Sequence, residues 1–164
     1  MKFLILSRKM AESYWYMHKN TTEPYIWISI RDPDKTYAKS PRQSDRKASI
    51  FLAFDDSEQP GEFNGEPLHL ITDEQAQKIV QFVDMYKDKV DLCVVNCEAG
   101  VSRSSGTALG LSMLINGHGK GINDNFRFAP NMLVRDKIIQ HGELLANENT
   151  PNWFRSQWEE EKNV

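Results

Sequence analysis

The sequence predicts an α/β fold: a three-layer sandwich whose mostly parallel or mixed central sheet is flanked by helices. Three observations carry this. Short apolar runs rich in β-branched and aromatic residues alternate with longer stretches of helical period. The run DLCVVN, 91 to 96, has an apolar centre at Leu92 to Val95 and reads as a buried strand. The 164 residues, 40% hydrophobic and 26% charged, are enough for one ordinary globular core, so residues 1–164 are read as a single domain.

FLIL, 3 to 6, forms the first strand, and Ser7 can cap a helix carrying Met10, Tyr14 and Met17. YIWISI, 25 to 30, is the second strand, ended by Asp32-Pro33-Asp34. Residues 31 to 47 hold six basic and three acidic side chains and read as a solvated connection, with a recognition surface as the alternative. SIFLAF, 49 to 54, is a third strand that stops at Asp55-Asp56. SEQPGEFNGEP, 57 to 67, follows as an acidic loop with two glycines and two prolines.

Thr72 and Gln75 match a capping box, so a helix starts there with Ala76, Ile79, Val80, Val83 and Tyr86 as its buried stripe. After DLCVVN, a buried helix runs from about Ser102 to Asn116 and closes at Gly117. Pro130 suits the first turn of another helix, ending near Gly142. A last helix from Pro151 to about Glu161 docks Trp153, Phe154 and Trp158. No repeat or low-complexity segment is present.

Several classes of function are disfavoured at once. A formal net charge of −3 argues against a nucleic-acid binder held by a basic field. The apolar run at Phe3 to Leu6 is too short for a signal-peptide core or a membrane span, which points to a cytoplasmic protein with no membrane partner. Cys93 and Cys97 lie along one strand, where four residues span about 13 Å, whereas bridged Cα atoms sit within about 7 Å. A disulfide between them is disfavoured, and Cys93 reads as a buried hydrophobe. His18, His69, His118 and His141 are too far in sequence to join them at a zinc site, so no metal is expected.

The chemistry concentrates in NCEAGVSRSSG, residues 96 to 106. Here a strand delivers Cys97 to a short loop, and Arg103-Ser104 opens a helix. Gly100 allows a backbone in which successive N–H groups point inward. The helix N-terminus adds free donors and its positive dipole end. Residues Glu98, Ala99, Gly100, Val101, Ser102 and Arg103 thereby form a cradle sized for a tetrahedral oxyanion. Arg103 offers a two-pronged fork to it. The same donors stabilise a Cys97 thiolate, placed beneath the anion for in-line attack.

The spacing C-x2-G-x2-R-S resembles the signature of the protein tyrosine phosphatase superfamily, and CEAGVSRS is most similar to its dual-specificity branch. Asp55-Asp56-Ser57 falls where that family carries its general acid, and Ala129-Pro130-Asn131 resembles the Pro-Asn that opens a late helix. The likeness covers roughly residues 48 to 140. It implies Cys97 as nucleophile, Asp56 as general acid with Asp55 in reserve, and Ser104 as the hydroxyl assisting thiolate departure. It also implies that only the N–H of Glu98 serves the anion, its side chain facing outward. Asn96 departs from the pattern, which has histidine before the nucleophile. Slower chemistry or a more alkaline optimum is therefore expected.

The resulting expectation is a cysteine-dependent protein phosphatase acting on phosphotyrosine, and on phosphoserine or phosphothreonine as a wider range. It takes a phosphorylated protein or a small phosphomonoester as partner and needs no cofactor. Two alternatives stay open. One is a non-catalytic phosphopeptide-binding module. The other is an arsenate reductase or rhodanese-type enzyme, for which Cys93 is a poorly placed resolving thiol.

Overall fold

The computed structural model describes residues 1–41 and 43–163. Four parallel strands form one sheet: β1 (Lys2–Ser7), β2 (Tyr25–Arg31), β3 (Arg46–Ala53) and β6 (Leu92–Cys97), in the order β1-β6-β2-β3. The last strand in sequence lies inside the sheet, with Asn96 beside Leu6 on one neighbour and Ser29 on the other. Cys97 therefore emerges at the carboxyl end of a central strand, where open parallel sheets bind ligands. The expected α/β sandwich is the observed one.

Both faces of the sheet are covered. Ile26, Ile28 and Ile30 of β2 and Cys93, Val95 and Cys97 of β6 face α3 (Asp73–Tyr86), α4 (Arg103–Ile115), α5 (Met132–Gln140) and α6 (Asn152–Lys162). Tyr25, Trp27, Leu92 and Val94 face the other way, towards α1 (Arg8–Ala11) and α2 (Tyr14–Asn20). Burial of each large side chain contributes roughly 2 kcal/mol. Helix α4 is buried from Arg103 to Ser112, as befits a central helix packed on all sides. The Thr72 capping box forms with both of its hydrogen bonds. Among the described residues, no helix is long and apolar enough to cross a membrane.

Five sequence expectations need correction. The first helix is two, because Ser13 accepts from Tyr16 N and caps a second start. The segment from 57 to 67 is not all loop. Glu62–Phe63 (β4) pairs antiparallel with Glu66–Pro67 (β5) through an Asn64-Gly65 turn, both residues at positive φ. That is the usual signature of a two-residue hairpin. Pro130 precedes α5 rather than joining it, since Asn131 caps that helix through Val134 N. In α6 only Phe154 and Trp158 are buried, the latter donating Nε1–H to Ile139 O, while Trp153 stays largely exposed.

The connection from 31 to 47 is not merely solvated. Ala38 is buried with Trp27 and Met17. Tyr37 packs edge-on against Phe51 at 5.2 Å and lies under the Arg31 guanidinium. Arg31 also donates to the carbonyls of Asp32, Pro33 and Lys35, which fixes the turn they form.

Candidate active site

The loop from Glu98 to Ser102 is held by its carbonyls. Glu98 O accepts from Arg8 N, Val101 O from Ala129 N, and Ser102 O from Asn131 N and Gly106 N. Among the described residues, the N–H groups of Ala99, Gly100, Val101 and Ser102 donate to no protein acceptor. Carbonyls outward and amides free is the arrangement an anion cradle requires. Gly100 makes it possible, with φ at +70° and its Cα pressed against the backbone where β1 passes into α1.

Cys97 is 2% exposed, and its Sγ lies 3.1 Å from Ser104 Oγ. The candidate nucleophile and the candidate assisting hydroxyl are thus in contact, joined across the loop. Arg103 is 4% exposed. Its Nη1 donates to Phe54 O at 2.7 Å and its Nη2 meets Asp32 Oδ1 at 2.6 Å. Its Nε is buried without a protein partner. Leaving a buried guanidinium donor unpaired is costly, and an oxyanion in the cradle would satisfy it.

From sequence alone Asp32 is only a strand terminator. In the fold it is the anchor of Arg103, and Lys35 Nζ holds its other oxygen at 2.9 Å. Burial pushes the Asp32 carboxyl up, but hydrogen bonds and charge from Lys35 and Arg103 outweigh this and hold it below the usual carboxylate range. Stabilisation by this pair is therefore present above that range and lost only as pH falls below it. No sequence motif marks Asp32, because its partner Arg103 lies in a distant part of the chain. We expect Asp32→Asn to raise KM for a phosphomonoester by about tenfold, since the neutral amide keeps the shape and loses the charged anchor. Steady-state kinetics on that variant, with Asp32→Glu as the rescue, checks it.

The Glu98 side chain is held by charged neighbours. Oε1 pairs with Arg8 Nη1 at 3.1 Å, and Oε2 lies 3.8 Å from Lys35 Nζ. Arg8 continues the link by donating to Thr36 O and Tyr37 O. The cradle, the start of α1 and the turn after β2 are thus tied by charged contacts.

Asp56 accepts from Ser102 Oγ at 2.7 Å and from Asn131 Nδ2 at 3.0 Å, both on Oδ1. It stands over the cradle loop, and Oδ2 has no protein partner among the described residues. Asp55 is turned to a different task, accepting from His69 N at 2.7 Å below the hairpin. The sequence marks Asn131 only as part of a helix-opening pair. Its side chain holds Asp56 while its N–H holds Ser102 O.

Asn96 is buried, and its Oδ1 accepts the Trp27 indole N–H at 2.9 Å. Its amide therefore serves the α1–α2 face of the sheet. Cys93 is buried on the opposite face, among the core side chains, and burial pushes its thiol up. A resolving role for it has no support in this geometry.

No model of a known family matches the sequence, and no curated protein does. Solved structures do. The crystal structure of DUSP15 superposes with a TM-score of 0.58 at 16% identity, over 96% of this chain and 90% of that one. A mouse putative dual specificity phosphatase complexed with zinc tungstate gives a TM-score of 0.48 at 14% identity, covering 98% and 82%. A human tyrosine phosphatase-like serine/threonine/tyrosine-interacting protein gives 0.47 at 15%, covering 98% and 91%. The DUSP15 superposition runs over nearly the whole of both chains and shows that this chain has a dual-specificity-phosphatase-like fold.

Proposed function

We propose that the protein is a cysteine-dependent phosphatase that hydrolyses phosphotyrosine through a cysteinyl-phosphate intermediate. The observation that carries this is the buried Arg103 with its unpaired Nε, held by Asp32 and Phe54 O in the loop that begins at the Cys97 thiol. Binding the phosphoryl group pairs that donor and the free loop amides. Their preorganisation then favours the charge spread over the transferring oxygens.

The Cys97 sulfur attacks phosphorus in line, forming an S–P bond as the P–O bond to the leaving group breaks. Asp56 gives its proton to the departing oxygen. In the second step the Asp56 carboxylate takes a proton from water, whose oxygen attacks phosphorus and breaks the S–P bond. Ser104 Oγ–H, in contact with Sγ, stabilises the thiolate as it leaves. Phosphate then departs. Protein and small phosphomonoester substrates both fit this sequence, and none of its steps calls on a metal or organic cofactor.

The test is hydrolysis of p-nitrophenyl phosphate with a chelator present, between about pH 5 and 8, by the wild type and by Asp56→Asn. Turnover is expected in the wild type. Asp56→Asn is expected to lose about 100-fold in kcat on phosphotyrosine, and less on p-nitrophenyl phosphate, whose leaving group needs a proton less. A folded wild type that binds phosphate yet turns over neither substrate would instead be a phosphopeptide-binding module.

A further inference from the structure

Beside the cradle lies a groove of about 760 Å³ between the Asp32–Lys35 turn and the β4–β5 hairpin. Its walls carry Asp34, Asp55, Glu66 and Phe63. It is continuous with the candidate site at two points. Asp32, on its edge, is the ion-pair partner of Arg103, and Asp55, in its wall, precedes Asp56 in the chain.

The charge in this groove is not balanced. Its lysine, Lys35, is already engaged with Asp32, and the His69 ring lies 3.6 Å from Asp55. Asp34 and Glu66 have no ion-pair partner among the described residues. Glu58 and Glu62 add negative charge on the same segment, which has no basic residue between Asp55 and Pro67. Acidity alone would describe a hydrated surface. Here it lines a concave site with shaped walls. Arg31 pins the turn through three carbonyls, and the hairpin is fastened at its base by Asp55 and His69, whose backbone and side chain exchange hydrogen bonds. Phe63, 70% exposed, lines the same groove as Asp34 and Glu66. An aromatic face flanked by unpaired carboxylates suits the aliphatic stem and cationic head of a lysine or arginine.

We propose that this groove is a specificity subsite that seats a basic side chain flanking the phosphorylated residue. The substrate class is then a phosphopeptide with lysine or arginine next to its phosphotyrosine. The proposal takes the position of the phosphoryl group from the phosphatase reading above. Specificity arises from complementary charge at the rim, so it weakens with added salt.

The experiment compares phosphotyrosine peptides that differ only in the flanking positions, which carry arginine, alanine or glutamate on either side. The enzymes are the wild type and the double variant Asp34→Asn/Glu66→Gln. The readout is the ratio of kcat/KM for the arginine and glutamate peptides on one enzyme, so that any general loss cancels. The wild type is expected to favour arginine by roughly tenfold at low salt, and the double variant by no more than about twofold. Equal rates for all peptides, or a preference that survives the double substitution, overturn the proposal. Hydrolysis of p-nitrophenyl phosphate on the same preparations tests the phosphatase reading separately. Should the wild type prove inert, fluorescence anisotropy of the same labelled peptides keeps the groove testable. The same order of affinities supports it, and equal affinities refute it.

Discussion

Cys97→Ser is expected to reduce chelator-resistant hydrolysis of p-nitrophenyl phosphate by at least about 10⁴-fold, to the limit of detection. The substitution changes one atom in a buried position, so the loop and its donors remain. What it removes is the nucleophile. A thiol yields a thiolate within reach of neutral pH, whereas a serine hydroxyl needs a general base to become reactive. Among the described residues, the side chain hydrogen-bonded to Sγ is Ser104, whose hydroxyl cannot accept that proton usefully. Phosphate binding should survive, because Arg103 and the loop amides do not depend on sulfur. The decisive comparison measures both on one preparation. Lost turnover with retained binding supports attack by Cys97, and retained turnover removes the thiolate mechanism. Mass spectrometry after rapid acid quenching adds an independent check, since a phosphoryl adduct should appear on the wild type and be absent from Cys97→Ser.

What can be read from sequence here divides by distance along the chain. Cys97, Gly100, Arg103 and Ser104 are close neighbours in sequence, and their geometry follows from one strand, one loop and one helix start. Such a motif needs no knowledge of the remaining fold. The carbonyl contacts from Arg8, Ala129 and Asn131 that hold the loop open are long-range and carry no local mark. Asp32 is the clearest case. Its neighbours Pro33 and Asp34 mark it as a strand terminator, which it is, and its anchoring of Arg103 depends on β2 and β6 being adjacent. The density of charge between 31 and 47 conceals a segment that covers Trp27 and Phe51. Charge counts treat Arg31 and Lys35 as solvated, whereas the fold commits one to backbone carbonyls and the other to Asp32. The hairpin at 62 to 67 escapes for a different reason. Asn64-Gly65 is a local turn signal, but strands of two residues are too short to show alternation. Helical spacing around Phe154 and Trp158 puts Trp153 in the core only because spacing cannot say how wide the covered face is.

Gly100→Ala should destabilise the protein by about 3 kcal/mol, and it should remove activity even at temperatures where the chain stays folded. Two effects combine at this position. Alanine at φ +70° costs about 1 kcal/mol through contact between Cβ and its own carbonyl. The added Cβ would also lie 2.4 Å from Ser7 N and 2.5 Å from Leu6 C, which are backbone atoms held in the sheet and unable to rotate aside. Either the cradle lifts away from β1 or the strand end shifts. Lifting the cradle disturbs the Arg8 N to Glu98 O bond and the direction of the free amides. Gly65→Ala separates the two effects, because Gly65 has φ +81° and nothing within 4 Å of the position its Cβ would take. It should lose only the conformational part, about 1 kcal/mol. For a domain of this size that corresponds to roughly 3 °C in Tm, against roughly 10 °C for Gly100→Ala. Thermal unfolding followed by circular dichroism reads both. Equal losses would mean that the backbone contact is relieved at little cost. A larger loss at Gly100, with phosphate binding gone below the transition, would tie the cradle's shape to its seat on β1.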